Sequence, residues 1–368
     1  MTLPSANGSR AGCVRTGDVV RKGVMVALVS AVLFGMSTPL TKILVSTVPP
    51  LLLAGLLYAG AGLGLLAVLI GRHLLVPRRS SASLPRRDEW LWLAGAIFFG
   101  GIAGPVALTY GLVTSAASTA SLLLNLEAVF TALLAWFLFR ENFDRRVVLG
   151  MLSIVAGGVQ LVWTHGTQGD ASIGLVLIAV ACLCWAIDNN LTRKVSASDA
   201  MVIASLKGLV AGAVNLGLGL LAGQALPPVG TLSLAMAVGF LGYGVSLVLF
   251  VLALRHLGAA RTGAYFSVAP FFGAALAVLL QGDAVTFQLI AAGLLMAGGV
   301  WLHVTEHHGH RHAHPQQEHI HAHSHDEHHR HTHDFVWDGR EPHTHPHVHM
   351  PLVHAHAHYP DVHHRHPH

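Results

Sequence analysis

From Gly208 to Leu254 the chain runs through 47 residues without one charged side chain, and from Trp90 to Phe139 it runs through 50 with only Glu127. Leu51 to Ile70 is likewise uncharged. Stretches of this kind leave few folds open, because a hydrocarbon core about 30 Å thick is crossed by roughly 20 apolar residues in a helix that satisfies its own backbone. Only 11% of the residues are charged, against roughly 25% in soluble domains. The two longest runs exceed one crossing. Each holds a turn signal, at Val113-Thr114-Ser115 and from Gln224 to Gly230 through Pro227-Pro228. The pattern predicts an all-α integral membrane protein of ten helices over residues 23–44, 50–71, 90–112, 115–139, 147–164, 172–194, 200–222, 231–254, 259–281 and 284–304.

The first apolar run is longer than a signal-peptide core and follows a polar leader over residues 1–22, so a retained first helix is expected. Cys13, Cys182 and Cys184 fall in the leader and inside one helix, which implies no disulfide framework. Basic residues give the orientation. Arg10, Arg15, Arg21 and Lys22, then the arginines at 72, 78, 79, 86 and 87, those at 140, 145 and 146, Arg193 with Lys194, and Arg255 with Arg261 all fall at one side of the predicted bundle. The opposite loops hold none. By the positive-inside rule both termini are expected in the cytoplasm of a multi-pass plasma-membrane protein.

The two halves repeat. Leu40-Thr41-Lys42 recurs as Leu191-Thr192-Arg193, and Leu126 to Phe130 aligns with Val268 to Phe272. Ala156-Gly157-Gly158-Val159 recurs as Ala297-Gly298-Gly299-Val300. Five spans per copy insert the copies with opposite orientation, as in alternating-access transporters whose substrate site lies near the midplane. The expected organisation is a leader (1–22), a first five-helix repeat (23–164), a second (172–304) and a tail (305–368).

Over residues 23–303 the chain resembles the EamA-like family of the drug/metabolite transporter superfamily. The resemblance rests on five plus five helices, on the Leu126 to Leu134 pattern with its Glu127 followed by Glu141, and on the pseudo-symmetric Pro270 segment. It implies a bacterial permease, commonly an exporter of amino acids or other metabolites. One departure stands out: Ala128 occupies the place where the family usually has proline, and only the second repeat keeps Pro270. A helix break at that level is therefore expected on one side only.

Ionisable groups inside the spans cost about 2.5 to 3.5 kcal/mol each at a helix centre, which makes them site candidates. Glu127, near the midplane, reads as a proton- or cation-coupling group or the partner of a cationic cargo, or else as interhelical glue. Asp188 and Lys207 lie at similar depth on consecutive helices and are expected to pair, as a structural lock or as a gate. Asn190, with Asn189, adds polar capacity beside Asp188. Lys42 is expected to reach the headgroups, with an anion-attracting role as the rival.

The last 65 residues, Val304 to His368, hold 24 of the 28 histidines. Eight acidic residues, four arginines, several prolines and few bulky apolar side chains predict a disordered tail. His319, His321, His323, His325, His343, His345, His347, His349, His354, His356 and His358 stand in His-x-His alternations and are candidate ligands for Zn²⁺, Ni²⁺, Co²⁺ or Cu²⁺. No zinc-finger spacing is present, so binding is expected to be multiple and fluxional. A pH-responsive tail with no dedicated ion is the rival. No cofactor is required for the fold.

Three functions follow. The first is a secondary transporter of a small polar or amino-acid-like metabolite, with the tail as metal-responsive regulator. The second is a transition-metal transporter fed by the tail, against which no span carries a His-x-x-x-His or Asp-x-x-x-Asp face. The third is a membrane-anchored metal store. No nucleotide-binding loop or catalytic motif is present, so no enzyme is expected. The expected partners are the cargo and the bilayer, with no nucleic acid and with a homodimer left open.

Overall fold

The computed structural model describes residues 16–75, 86–139, 145–165, 169–195, 199–257 and 259–305, and in the tail 309–314, 317–323, 343–349 and 352–357. The body, to Glu306, and the tail, from His307, are separate units.

The body is a bundle of ten membrane helices. They are α1 (Thr16–Val45), α2 (Pro50–Leu75), α3 (Trp90–Thr114), α4 in two pieces (Ala117–Leu123 and Leu126–Phe139) and α5 (Arg145–His165). The second half continues with α6 (Gly169–Thr192), α7 (Ala200–Leu221), α8 (residues 229–257), α9 in two pieces (Ala259–Phe266 and Ala269–Gln281) and α10 (Phe287–Val304). Among the described residues, eight are long and apolar enough to cross a bilayer alone. The second piece of α9 and most of α10 are shorter apolar helices. The first helix starts at Thr16, seven residues before the apolar run, because backbone hydrogen bonding continues into the polar Thr16–Lys22 stretch that hydropathy excludes.

Two irregularities recur in both halves. The α4 break at Leu124-Asn125 and the α9 break at Ser267-Val268 fall within one residue of corresponding positions, so the expectation of a one-sided break is corrected. Pro270 supplies the missing N–H that starts the second piece of α9. In α4, where Ala128 stands in place of proline, Asn125 does this work: its Nδ2 donates to the Leu122 carbonyl at 2.9 Å and competes with the helical ladder. The third helices match as well, with π-helical segments at Ile97–Ala103 in α3 and Phe240–Val245 in α8.

Packing follows the internal symmetry. Repeat mates lie against each other, α2 on α7, α4 on α9 and α5 on α10, while the first helix of each half leaves its own half. Thus α1 packs on α8 and α9, and α6 packs on α3 and α4. Close approach is made by glycine. At the α2–α7 crossing, Gly62 and Gly208 stand back to back, and a Cβ on either would overlap the other's backbone. The largest apolar core lies among α3, α4, α5, α6 and α10, around Leu112, Leu123, Ile154 and Ile178.

In the tail, β1 (Gly309–His314) pairs antiparallel with β4 (Leu352–Ala357), and β2 (Gln317–His323) with β3 (His343–His349). The tail was expected to lack regular structure. Its His-x-His alternation has the two-residue period of a strand, and the register sets His319 opposite His347, His321 opposite His345, His323 opposite His343 and His312 opposite His354. His325 and His358 lie outside the described residues.

Candidate functional site

The polar centre of the body is organised by α6. Trp185, Asp188, Asn189 and Thr192 fall within two turns of it, and α6 runs between α3 and α4 of the other half.

Asp188 is buried, at 7% exposure, and Lys207 of α7 donates to both of its oxygens, at 2.5 and 2.6 Å. Thr192 Oγ1 donates to Oδ1 at 2.8 Å. The carboxylate rests against Gly100 of α3, where any Cβ would overlap it. Charge and hydrogen-bonding capacity are thus satisfied inside the pair, the condition under which a buried ion pair offsets its desolvation.

Glu127 opens the second piece of α4 and is half-buried. Asn189 Nδ2 donates to its Oε1 at 2.9 Å and stands 3.4 Å from Thr131 Oγ1. The sequence reading singled out Asn190. The structure puts that residue to structural use: its Nδ2 donates to Ala186 O at 2.9 Å and to Thr131 O at 3.3 Å, tying α6 to α4. Asn189 is the neighbour that reaches the carboxylate, and protein does not cover it.

Trp185 and Asn189 are four residues apart and share one face of α6. Trp185 Nε1 donates to Gly100 O at 3.1 Å, and Tyr58 OH of α2 donates to the same oxygen at 2.6 Å. This oxygen has no backbone donor for a local reason. In the π segment the Gly104 N–H bonds the Phe99 carbonyl, and the next residue, Pro105, has no N–H. Gly101 O is filled in the same way by Asn215 Nδ2 of α7 at 3.1 Å. From Tyr58 a run of rings crosses between the halves. Tyr58 lies 5.6 Å from Tyr243 of α8, Tyr243 lies 6.0 Å from Phe34 of α1, and Phe34 lies 5.4 Å from Phe266 of α9, centroid to centroid. Sequence reasoning missed the four aromatic residues and the Gly100 carbonyl. The one available signal was the stretch Gly100-Gly101-Ile102-Ala103-Gly104-Pro105, whose proline removes a ladder donor inside a span.

Lys42 belongs to another place. It lies at the end of the bundle opposite the arginine-rich loops and donates to the Leu112 and Val113 carbonyls, at 2.6 and 3.2 Å, capping the last turn of α3. Nearby elements are tied in the same manner: Asp283 Oδ2 accepts from Ser118 N at the start of α4 (2.8 Å), and Gln281 Nε2 donates to Pro39 O (2.9 Å). Among the described residues, no three His, Cys, Asp or Glu side chains are grouped to hold a metal ion.

Comparison with known proteins agrees with this architecture. The model of the EamA-like transporter family matches residues 21–163 and again residues 172–305. An uncharacterized transporter of Methanothermobacter thermautotrophicus is 30% identical over 313 residues, covering 80% of this chain and 90% of its own. A probable amino-acid metabolite efflux pump of Salmonella typhimurium is 26% identical over 308 residues, covering 77% and 95%. A solved crystal structure superposes with a TM-score of 0.59 at 20% identity, covering 77% of this chain and 98% of that one, a likeness of fold.

Proposed function

The chain belongs to the EamA-like transporter family, and from that premise we propose that this multi-pass membrane transporter exports a small polar, amino-acid-like metabolite by alternating access. The observation that carries the reading is that α6 brings Asn189 to Glu127 and, one turn away, Trp185 to the Gly100 oxygen shared with Tyr58, where the aromatic run between the inverted halves begins. Inverted-repeat transporters bind cargo near the midplane, between their two halves. The name of the Salmonella relative, a probable amino-acid metabolite efflux pump, supports the cargo class. The chain is no enzyme, and an ion gradient or cargo exchange drives it. In this reading the arginine-rich end faces the cytoplasm across the plasma membrane, and the tail binds divalent transition metal there and regulates the body.

A second reading has one observation in its favour, the 24 histidines of the tail: the cargo is itself a transition-metal ion. Paired uptake and efflux in proteoliposomes, with an amino-acid panel beside Ni²⁺, Co²⁺ and Zn²⁺, separates the two. Protein-dependent movement of organic solutes without metal flux supports the first, and metal flux without organic flux overturns it.

A further inference from the structure

Among the described residues, Glu127, Asp188 and Lys207 are the carboxyl and ammonium groups inside the spans away from the helix ends, Lys42 stands in the last turn of α1, and all but Glu127 are fully engaged. Lys207 is held by both oxygens of Asp188, and Lys42 is held by the α3 carbonyls. Glu127 alone faces a neutral partner, the Asn189 amide, with no cation among the described residues in hydrogen-bond reach. Among the described residues the site therefore carries one acid and no base to match it.

Its surroundings act in the same direction. Tyr58, Tyr243, Phe34 and Phe266 are only half-buried, and the run reaches α6 where Tyr58 shares the Gly100 oxygen with Trp185, one turn from Asn189, so ring faces lie near the α6 partner of the carboxyl group. Ring faces attract cations. An anion finds less reception. Helix breaks bind carboxylates where amides are free, but here several amides beside the breaks are taken: Asn125 N bonds Leu122 O and Glu127 N bonds Leu124 O, both at 3.1 Å. Phe271 N and Phe272 N bond Val268 O at 3.1 and 3.2 Å.

We propose that the cargo is an organic monocation with an aromatic or apolar body and no free carboxylate, of the class of amino-acid-derived amines, and that it exchanges one for one with the Glu127 proton. The proton leaves the carboxyl oxygen as the cation arrives beside it, so one positive charge replaces another and the site stays neutral. This rests on the reading of the body as an exporter of organic metabolites and narrows it to the amine end of the molecule.

The test uses three probes that share a phenyl ring: phenethyltrimethylammonium, which is permanently charged and does not leak through lipid as a neutral amine, L-phenylalanine, and 3-phenylpropionate. With full-length protein in liposomes, a pH gradient should move the cation at least tenfold faster than in protein-free liposomes and leave the other two at background. Binding of the cation to wild-type protein in weakly buffered detergent solution should release up to one proton. Glu127→Gln should lose both signals, and Glu127→Asp should keep them in weakened form. Phenylalanine moving as fast as the cation, cation binding without proton release, or undiminished cation binding by Glu127→Gln would each overturn the assignment. The proton-release measurement needs no variant, so a misfolded substitution does not shield the proposal. If phenylalanine alone moves, the organic-exporter reading stands and only the monocation falls; if none of the three moves and Ni²⁺ does, both fall.

Discussion

Tyr58 and Trp185, from opposite halves of the chain, donate to a single carbonyl oxygen, that of Gly100, at 2.6 and 3.1 Å. Neither hydrogen bond belongs to a regular helix. Both exist because the π segment and Pro105 leave that oxygen without a backbone donor. The junction between the repeats is thus held by a defect in α3 that two side chains repair.

Removing one repair should be tolerated better than removing both. Tyr58→Phe and Trp185→Phe should each cost about 1 kcal/mol, while the double variant leaves a buried carbonyl unpaired and should cost about 1–3 kcal/mol beyond the two single changes. Thermal unfolding of the four proteins in one detergent forms the cycle. Strict additivity would show that solvent reaches the oxygen.

The Asp188–Lys207 pair should behave as a unit. Asp188→Asn strands a buried ammonium and is expected to lose about 3–5 kcal/mol, whereas Asp188→Asn with Lys207→Met should restore folding. Transport by the restored double variant then decides the role of the pair: full activity marks a lock, and folding without activity marks a gate. Gly100→Ala should destabilise by about 1–3 kcal/mol through overlap with the same carboxylate.

Glu127→Gln keeps the shape of the side chain and its bond to Asn189 while removing the exchangeable proton. Expression should be retained. Flux driven by a proton gradient should fall to background, and the pH dependence of transport across about pH 5 to 8 should flatten. Unchanged flux across that range would make the carboxyl group simple interhelical glue.

Reporters inserted after residues 80, 143 and 310 should read cytoplasmic, and those after 48, 167 and 226 should read external, because the basic residues before the tail flank one end of the bundle. An external signal at 310 would remove the tail from the cytosol.

A chain ending at Val304 should insert and fold, since α1 to α10 are complete at that point. The full-length protein should bind several Ni²⁺ or Zn²⁺ ions at neutral pH and release them below about pH 6, as the imidazoles take up protons. Isothermal titration at two pH values reads this. A regulatory tail predicts that truncation removes metal sensitivity and spares maximal organic transport; a feeding tail predicts metal transport lost mainly at low free metal.

Hydropathy made the ten spans legible because a bilayer demands about 20 apolar residues per crossing, and the ends fell within a few residues except at Thr16, where polar residues extend the helix. Glu127, Asp188 and Lys207 were legible for the converse reason, since charge is expensive there. What stayed hidden depends on backbone register. Nothing in the hydrophobicity of Ile97–Ala103 or Phe240–Val245 distinguishes a π turn from an α turn, and Asn125 breaks α4 through a bond to Leu122 that composition does not encode. Asn189 and Asn190 are chemically identical neighbours, and only the direction each takes from α6 sends one to Glu127 and the other to backbone carbonyls.

The exchange of first helices has a consequence for what the rigid parts of the transporter are. With α1 seated on α8 and α9, and α6 seated on α3 and α4, the units able to rock as bodies differ from the stretches that repeat in sequence. Each unit borrows a helix from the other copy. Motion between them would bend the chain after α1 and after α6 rather than at the seam between the halves. Two separate five-helix chains, ending and beginning at that seam, would still clasp each other like hooked fingers, so the covalent join serves stoichiometry more than cohesion.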